Sequence, residues 1–212
     1  MYARKVLALF DFDKTLIHGD SFRSFSMEAS ATALERVIVY SLAVACWLGL
    51  IGNKTYKEQV LRRVWAGVDA SQREQFLKGF FSRLHERENP RVVAELMRHL
   101  RENHTVAVLS ASPGFYLEPF VHSWSQDIRV FASQARFAMG GPVVDNLYGE
   151  PKTKCARELI EQLQPELIVI YTDNISDLGL IQLATHTRLV APSRQLTRAL
   201  ERANIAYEVL MP

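Results

Sequence analysis

The sequence predicts an α/β fold with a mainly parallel sheet, interrupted early by a long helical insert. Three observations predict it. The run Val6-Leu7-Ala8-Leu9-Phe10 is short, continuously apolar and uncharged, which suits a strand buried on both faces. Further apolar runs alternate with segments of helical length and punctuation from Pro90 onward, as βαβ units do. Between roughly Ser21 and Asn89, no stretch shows convincing strand alternation.

Taken in order, Val6 to Phe10 is the first strand, and the insert follows it with helices over Ala31 to Ile51, Tyr56 to Gly67 and Ser71 to Glu88. Asp69 and Ser71 suit helix starts, because a short polar side chain can accept from the free amides of a first turn. From Pro90 the pattern reads helix (Arg91 to Asn103), strand (Thr105 to Leu109), helix (Gly114 to Trp124), strand (Arg129 to Ala132) and a hairpin-like stretch through Gly140-Gly141. It continues with helix (Thr153 to Gln164), strand (Leu167 to Tyr171), helix (Asp177 to Ala184), a last central strand (Thr187 to Val190) and a helix from Ser193 to Asn204 that Ser193 can cap. No internal repeat or low-complexity segment is visible.

At 212 residues the chain is long enough for one medium domain with an inserted subdomain. Its 48% hydrophobic and 23% charged content is that of an ordinary globular protein. With 25 Lys and Arg against 23 Asp and Glu, and no long basic run, nothing points to nucleic acid as a partner. Cys46 and Cys155 are far apart in sequence, which argues against a disulfide framework or a zinc site. Met1 to Lys5 leads straight into the first strand and leaves no room for a signal peptide, so a cytoplasmic location is expected.

Chemistry concentrates at the ends of the apolar runs. Asp11 and Asp13 follow the first strand, at the carboxyl edge where open α/β sheets bind their ligands. Spaced by two, they point to one side. One carboxylate of such a pair can attack an electrophile while the other moves protons; the plain alternative is a polar turn. Ser110 ends the second strand, followed by Ala111-Ser112-Pro113-Gly114, whose amides could face an anion at a helix start. Lys152 stands at a helix start after Gly149-Glu150-Pro151, with Lys154 as a close competitor. Asp173 and Asp177 follow the run Leu167 to Tyr171.

In order and spacing, Asp11-x-Asp13-x-Thr15, Ser110, Lys152 and the pair Asp173 and Asp177 resemble the four motifs of the haloacid dehalogenase superfamily. The core, roughly residues 4 to 18 and 90 to 191, is most similar to the branch containing phosphoserine phosphatase; the insert is matched only by its helical character. The resemblance implies a three-layer α/β/α Rossmann-like core formed by residues 1–18 and 90–212, with residues 19–89 as a helical cap of the C1 type above the active site. It also implies Mg²⁺, held by the Asp11 and Asp173 side chains and the Asp13 backbone carbonyl, with Asn174 and Asp177 behind; Asp177 would orient a metal-bound water or the motif-three Lys. Asp11 is then the nucleophile that becomes an aspartyl phosphate, and Asp13 the acid and later the base. Ser110 and Lys152 would hold the transferring phosphoryl group. An acid at position 13 favours a phosphatase over a dehalogenase.

The chain departs from the family pattern at Thr172, where many relatives have Gly, and at Gly179, where many have Pro. Asp20 occupies the spacing of a substrate-contacting acid in phosphoserine phosphatase, and its plain alternative is a helix N-cap. Lys57, Arg62 and Arg63 are candidates for a cationic substrate contact. The expected reaction is Mg²⁺-dependent hydrolysis of a small phosphorylated metabolite, phosphoserine-like or related. Three other readings stay open: a lipid-phosphate phosphatase such as a phosphatidylglycerophosphatase-like enzyme, a phosphotransferase to an alcohol, and a noncatalytic binding protein on the same fold. Residues 37 to 51 carry no charge and fall short of the roughly 20 apolar residues that span a bilayer. They are expected to be buried between insert and core or to wall the substrate pocket. Contact with an apolar leaving group or a membrane surface is the other reading, without a flanking Lys/Arg cluster to reinforce it. The oligomeric state is left open.

Overall fold

The structure, a computed structural model, describes residues 5–210. The expectation for the N-terminus rests chiefly on residues 1–4, which lie outside that range. Seven strands form one sheet in the order β4-β3-β2-β1-β5-β6-β7. They are β1 (Val6–Phe10), β2 (Thr105–Pro113), β3 (Arg129–Ala138), β4 (Gly141–Asp145), β5 (Leu167–Thr172), β6 (His186–Val190) and β7 (Glu208–Leu210). Every pairing is parallel except β3 with β4, the hairpin that turns at Met139-Gly140.

β1 is apolar throughout because it is covered on both faces. Leu7 and Leu9 pack with helices α7 (Glu150–Leu163), α8 (Leu178–Ile181) and α9 (Arg194–Arg202). Ala8 and Phe10 point the other way, into the cluster formed by α5 (Pro90–Arg101) and α6 (Gly114–His122). The period of two thus divides the core into two layers of side chains, giving three layers of structure. Strand order turns back at β1: β2 lies on one side and β5 on the other. That is a topological switch point, where a crevice opens at the carboxyl ends of the strands.

Between β1 and α5 come α1 (Ser21–Ala29), α2 (Ala33–Trp47), α3 (Asn53–Val64) and α4 (Ala70–His85). Asp20 caps α1 by accepting from the Arg23 amide, Thr32 and Glu35 form a capping box on α2, and Asp69 caps α4. Phe25 ties this insert to the core: its ring lies 4.9 Å from Trp65, 5.4 Å from Phe115 and 5.4 Å from Tyr116 between centroids.

Several boundaries differ from the sequence reading. The expected helix over 177 to 184 is a 3-10 turn at Ile175–Asp177 followed by the four residues of α8. β7 has no counterpart in the sequence reading, because three half-exposed residues carry little pattern. The largest correction concerns residues 37 to 51. Of α2 only Val39 is buried, while Val37, Tyr40, Val44, Trp47, Leu48 and Leu50 are exposed. The absence of charge suggested burial on all sides; in the fold, α2 lies at the outside of the insert.

Candidate active site

The parallel register assembles the site. Phe10 pairs with Val108 on one side and Tyr171 on the other, so the residues following each strand reach the sheet edge together. Asp11 and Asp173 follow β1 and β5 there, and Ser110 lies in β2 just past its pairing with β1. The edge opens on a cavity of about 240 Å³ lined by Asp11, Asp13, Ser110, Lys152, Asn174 and Asp177 from the core side, and by Asp20, Phe22, Asn53, Tyr56 and Lys57 from the insert. Lys14, at a positive φ of 60°, also faces it.

Asp11 is buried, and its Oδ1 accepts from Lys152 Nζ at 2.6 Å, while the Thr15 hydroxyl lies 3.5 Å from Oδ2. Burial pushes the Asp11 carboxyl up to about 8; the Lys152 ammonium opposes that shift, and the charges of Asp177 and Asp173 add to it. Lys152 in turn pays for its burial, yet the carboxylates of Asp11 and Asp177 outweigh that cost and hold it charged, well above its ordinary range. Asp177 Oδ2 accepts from Lys152 Nζ at 2.9 Å and from the Thr172 hydroxyl at 2.7 Å. Thr172, at a position where the resemblance leads one to expect Gly, thus adds a donor to this network. Gly179 has its own reason: a Cβ there would meet Thr153 Oγ1 at 2.9 Å.

Asp13 is held on both oxygens, by the Ser21 amide at 2.5 Å and the Ser112 hydroxyl at 2.6 Å. Burial raises its carboxyl to about 6, with the Asp20 charge adding to the shift and these hydrogen bonds opposing it. Ser112 and Ser21, whose hydroxyls meet at 2.8 Å, hold Asp13 in place and are positions that the motifs did not single out. Ser110 is buried, and its Oγ accepts from the Ser112 amide at 3.0 Å.

The remaining candidates separate clearly. Lys57 is buried against the cavity and donates to the Ala111 carbonyl and, at 2.6 Å, to Asn146 Oδ1; burial lowers it to about 8. Asp20 lines the cavity and caps α1 as well. Asn174 borders the cavity and accepts from the Ser176 amide. Arg62 does not reach the site. It is exposed and donates to the Gly140 carbonyl at 3.3 Å, because α3 turns that side chain toward the β3–β4 hairpin; Arg63 is exposed as well. Lys154 is also exposed, 3.9 Å from Glu158.

The oxygen-rich donor set suits a hard divalent cation. Asp173 Oδ1 is buried without a hydrogen-bond partner, and burial raises its carboxyl to about 6. Asp11 Oδ2 has only the long Thr15 contact. The unpartnered Asp173 oxygen and the free lone pairs of Asp11 Oδ2 are donors that such an ion takes, so these residues fit Mg²⁺.

The family model for haloacid dehalogenase-like hydrolases matches residues 8–182. The chain belongs to that family. A probable phosphatase of Mycobacterium tuberculosis is 27% identical over 210 residues, covering 92% of this chain and 71% of that protein. Among solved structures, a Bordetella pertussis protein of unknown function superposes with a TM-score of 0.84 at 17% identity, over 96% of this chain and 98% of that one. A substrate-bound phosphoserine phosphatase gives 0.68 at 16% identity, over 98% and 94%. At such identities the structural likeness establishes the fold alone.

Proposed function

We propose that this hydrolase is a phosphatase that cleaves small phosphomonoesters, phosphoserine-like or related, through a covalent aspartyl phosphate at Asp11. The observation that carries the reading is the meeting of Asp11, Asp13, Ser110 and Lys152 on one cavity at the carboxyl edge of the sheet. Its likeness to a probable phosphatase supports it.

A phosphomonoester is an anion that repels nucleophiles, so positive charge and donors must meet its oxygens first. Lys152 supplies the charge and Ser110 a hydroxyl, while Asp177 and Thr172 keep the ammonium aimed. An Asp11 oxygen then bonds to phosphorus as the bond to the leaving alkoxide breaks. Asp13 gives that alkoxide a proton, a role that the upward push of burial on its carboxyl favours. In the second half, Asp13 as carboxylate takes a proton from the water that attacks phosphorus, releasing phosphate and restoring Asp11. Mg²⁺, held by Asp11, Asp173 and the Asp13 carbonyl, would supply further positive charge to the phosphoryl oxygens when bound. The Asp20 and Lys57 side chains face the same cavity from the insert and are the candidates for reading the leaving group.

Incubating a panel of phosphorylated metabolites with Mg²⁺ tests the reading. Phosphate release that stops in chelator is expected, whereas full activity in chelator contradicts the metal's part. Phosphoryl transfer to added alcohols in place of water would turn the assignment to a phosphotransferase.

A further inference from the structure

The exposed face of α2 is the surface feature that catalysis leaves unexplained. Leu34, Val37, Tyr40, Val44 and Trp47 follow one another at steps of three and four residues and are all exposed, so they form one stripe along the helix. Trp47 is 83% exposed, and Leu50 in the turn that follows is 73% exposed. Together these side chains make an apolar patch on the order of several hundred Å², at or beyond the largest usual for a monomer. Scattered exposed leucines need no explanation, but a continuous stripe does.

We infer that this face docks on the surface of an anionic lipid bilayer and brings the catalytic pocket to phosphomonoesters carried there. Charge decides between a bilayer and a second copy of the chain. From Arg36 to Lys57 the sequence holds three cations, Arg36, Lys54 and Lys57, and no acid. Arg36 and Lys54 are exposed at the two ends of the stripe, and Lys54 has only a loose 3.9 Å contact to Glu58. Two copies packing their stripes antiparallel about a twofold axis would set Arg36 of each near Lys54 of the other, like charge against like. An anionic bilayer meets both ends with opposite charge.

Composition agrees. Tyr40 and Trp47 are side chains that settle at the level of lipid headgroups, with an apolar ring and a polar tip. No described helix is long and apolar enough to cross a membrane, so the mode is docking in the plane of the interface. The stripe also ends where the pocket begins. The turn at Gly49 to Gly52 leads directly into α3, whose Asn53, Tyr56 and Lys57 line the catalytic cavity. The substrate part of this inference rests on the phosphatase reading; the docking part does not.

The test uses the full chain without metal, mixed with vesicles of phosphatidylcholine alone or with phosphatidylglycerol, and reads flotation and tryptophan emission. Trp65 is buried and Trp124 is packed against the core, so a blue shift reports chiefly on Trp47. Binding that rises at least tenfold with anionic lipid, falls with salt, and is lost in Val37→Ser/Trp47→Ser/Leu50→Ser is expected. Arg36→Glu/Lys54→Glu should abolish the preference for anionic lipid. With Mg²⁺ added for the activity assays, both variants should hydrolyse a soluble aryl phosphate at the wild-type rate but lose most of their activity on phosphatidic acid in vesicles. Absence of vesicle binding by the wild-type chain overturns the inference, as does wild-type binding by the triple variant. A dimer that the triple variant disrupts, without vesicle binding, assigns the face to self-association instead. Vesicle binding without hydrolysis of any phosphomonoester leaves docking standing and removes the phosphatase reading.

Discussion

Lys152 sets one positive charge against two buried carboxylates, at 2.6 Å from Asp11 and 2.9 Å from Asp177. Removing it leaves those carboxylates unpaired and takes a charge from the phosphoryl group. Lys152→Ala should therefore lower kcat by about 10²- to 10³-fold, whereas the exposed Lys154→Ala should stay within about 0.5 kcal/mol of wild type in stability and leave turnover unchanged. Steady-state kinetics on a soluble aryl phosphate decide it, and the reverse ranking would move the catalytic lysine by two residues. Sequence spacing left both lysines open because residues two apart in a first helical turn look alike on paper; the fold separates them by aiming one inward. Arg62 shows the same gap from the other side, since composition could not tell that α3 would turn it to the hairpin. Arg62→Ala should leave kcat/KM unchanged on every substrate.

His99 offers a pH test away from the site. It is buried on α5, with Nδ1 2.8 Å from His104 and Nε2 3.0 Å from the Tyr171 hydroxyl. Burial lowers its pKa to about 4, and the Arg98 and His104 charges push the same way while Glu95 and Glu102 oppose them. The unfolded chain, with a histidine near 6.5, binds the proton first. Its contribution to stability is thus present above about 6.5 and lost as pH falls toward 4, up to roughly 3 kcal/mol by the usual conversion. Urea unfolding of the wild type should lose more stability between pH 7 and pH 4.5 than unfolding of His99→Gln. An equal loss in both would show that this imidazole does not drive the acid sensitivity.

Among the elements, α1 links insert to core through Phe25, which lies at the centre of rings from α4, α6 and the residue just after α3. Phe25→Ala should cost about 3–5 kcal/mol of unfolding free energy, measured by urea denaturation, with Phe25→Leu costing less; a loss under 1 kcal/mol would mean that the insert is anchored elsewhere. The strands of the core were legible because continuous apolar runs bounded by turns leave few alternatives at that length. α2 was misjudged for a physical reason: a stretch without charge records what the chain can bury, and only the tertiary fold decides whether anything covers it. The short elements, β7 and the 3-10 turn before α8, carry too few residues for periodicity to speak.

For the whole molecule, the switch point at β1 explains why motifs some 160 residues apart in sequence converge, as Asp11 and Asp173 do at the sheet edge. Strand ends could be read one by one; the hydroxyls of Ser112 and Thr172 could not, since nothing local marks a serine or threonine that will meet a carboxylate in the fold. If Mg²⁺ compensates the raised carboxylates, it binds the folded chain alone and should raise Tm. The shift should vanish in Asp173→Ala, as read by circular dichroism; an undiminished shift would place the ion elsewhere. The covalent step at Asp11 is tested most directly by acid-quenching the enzyme during turnover of a phosphorus-labelled aryl phosphate and mapping the label. The mechanism predicts a hydroxylamine-labile phosphoryl group on the peptide carrying Asp11, absent from Asp11→Asn and accumulating in Asp13→Asn, because an aryl leaving group departs without a proton but water still needs a base. Turnover at the wild-type rate by Asp11→Asn, or a label on any other residue, would contradict it.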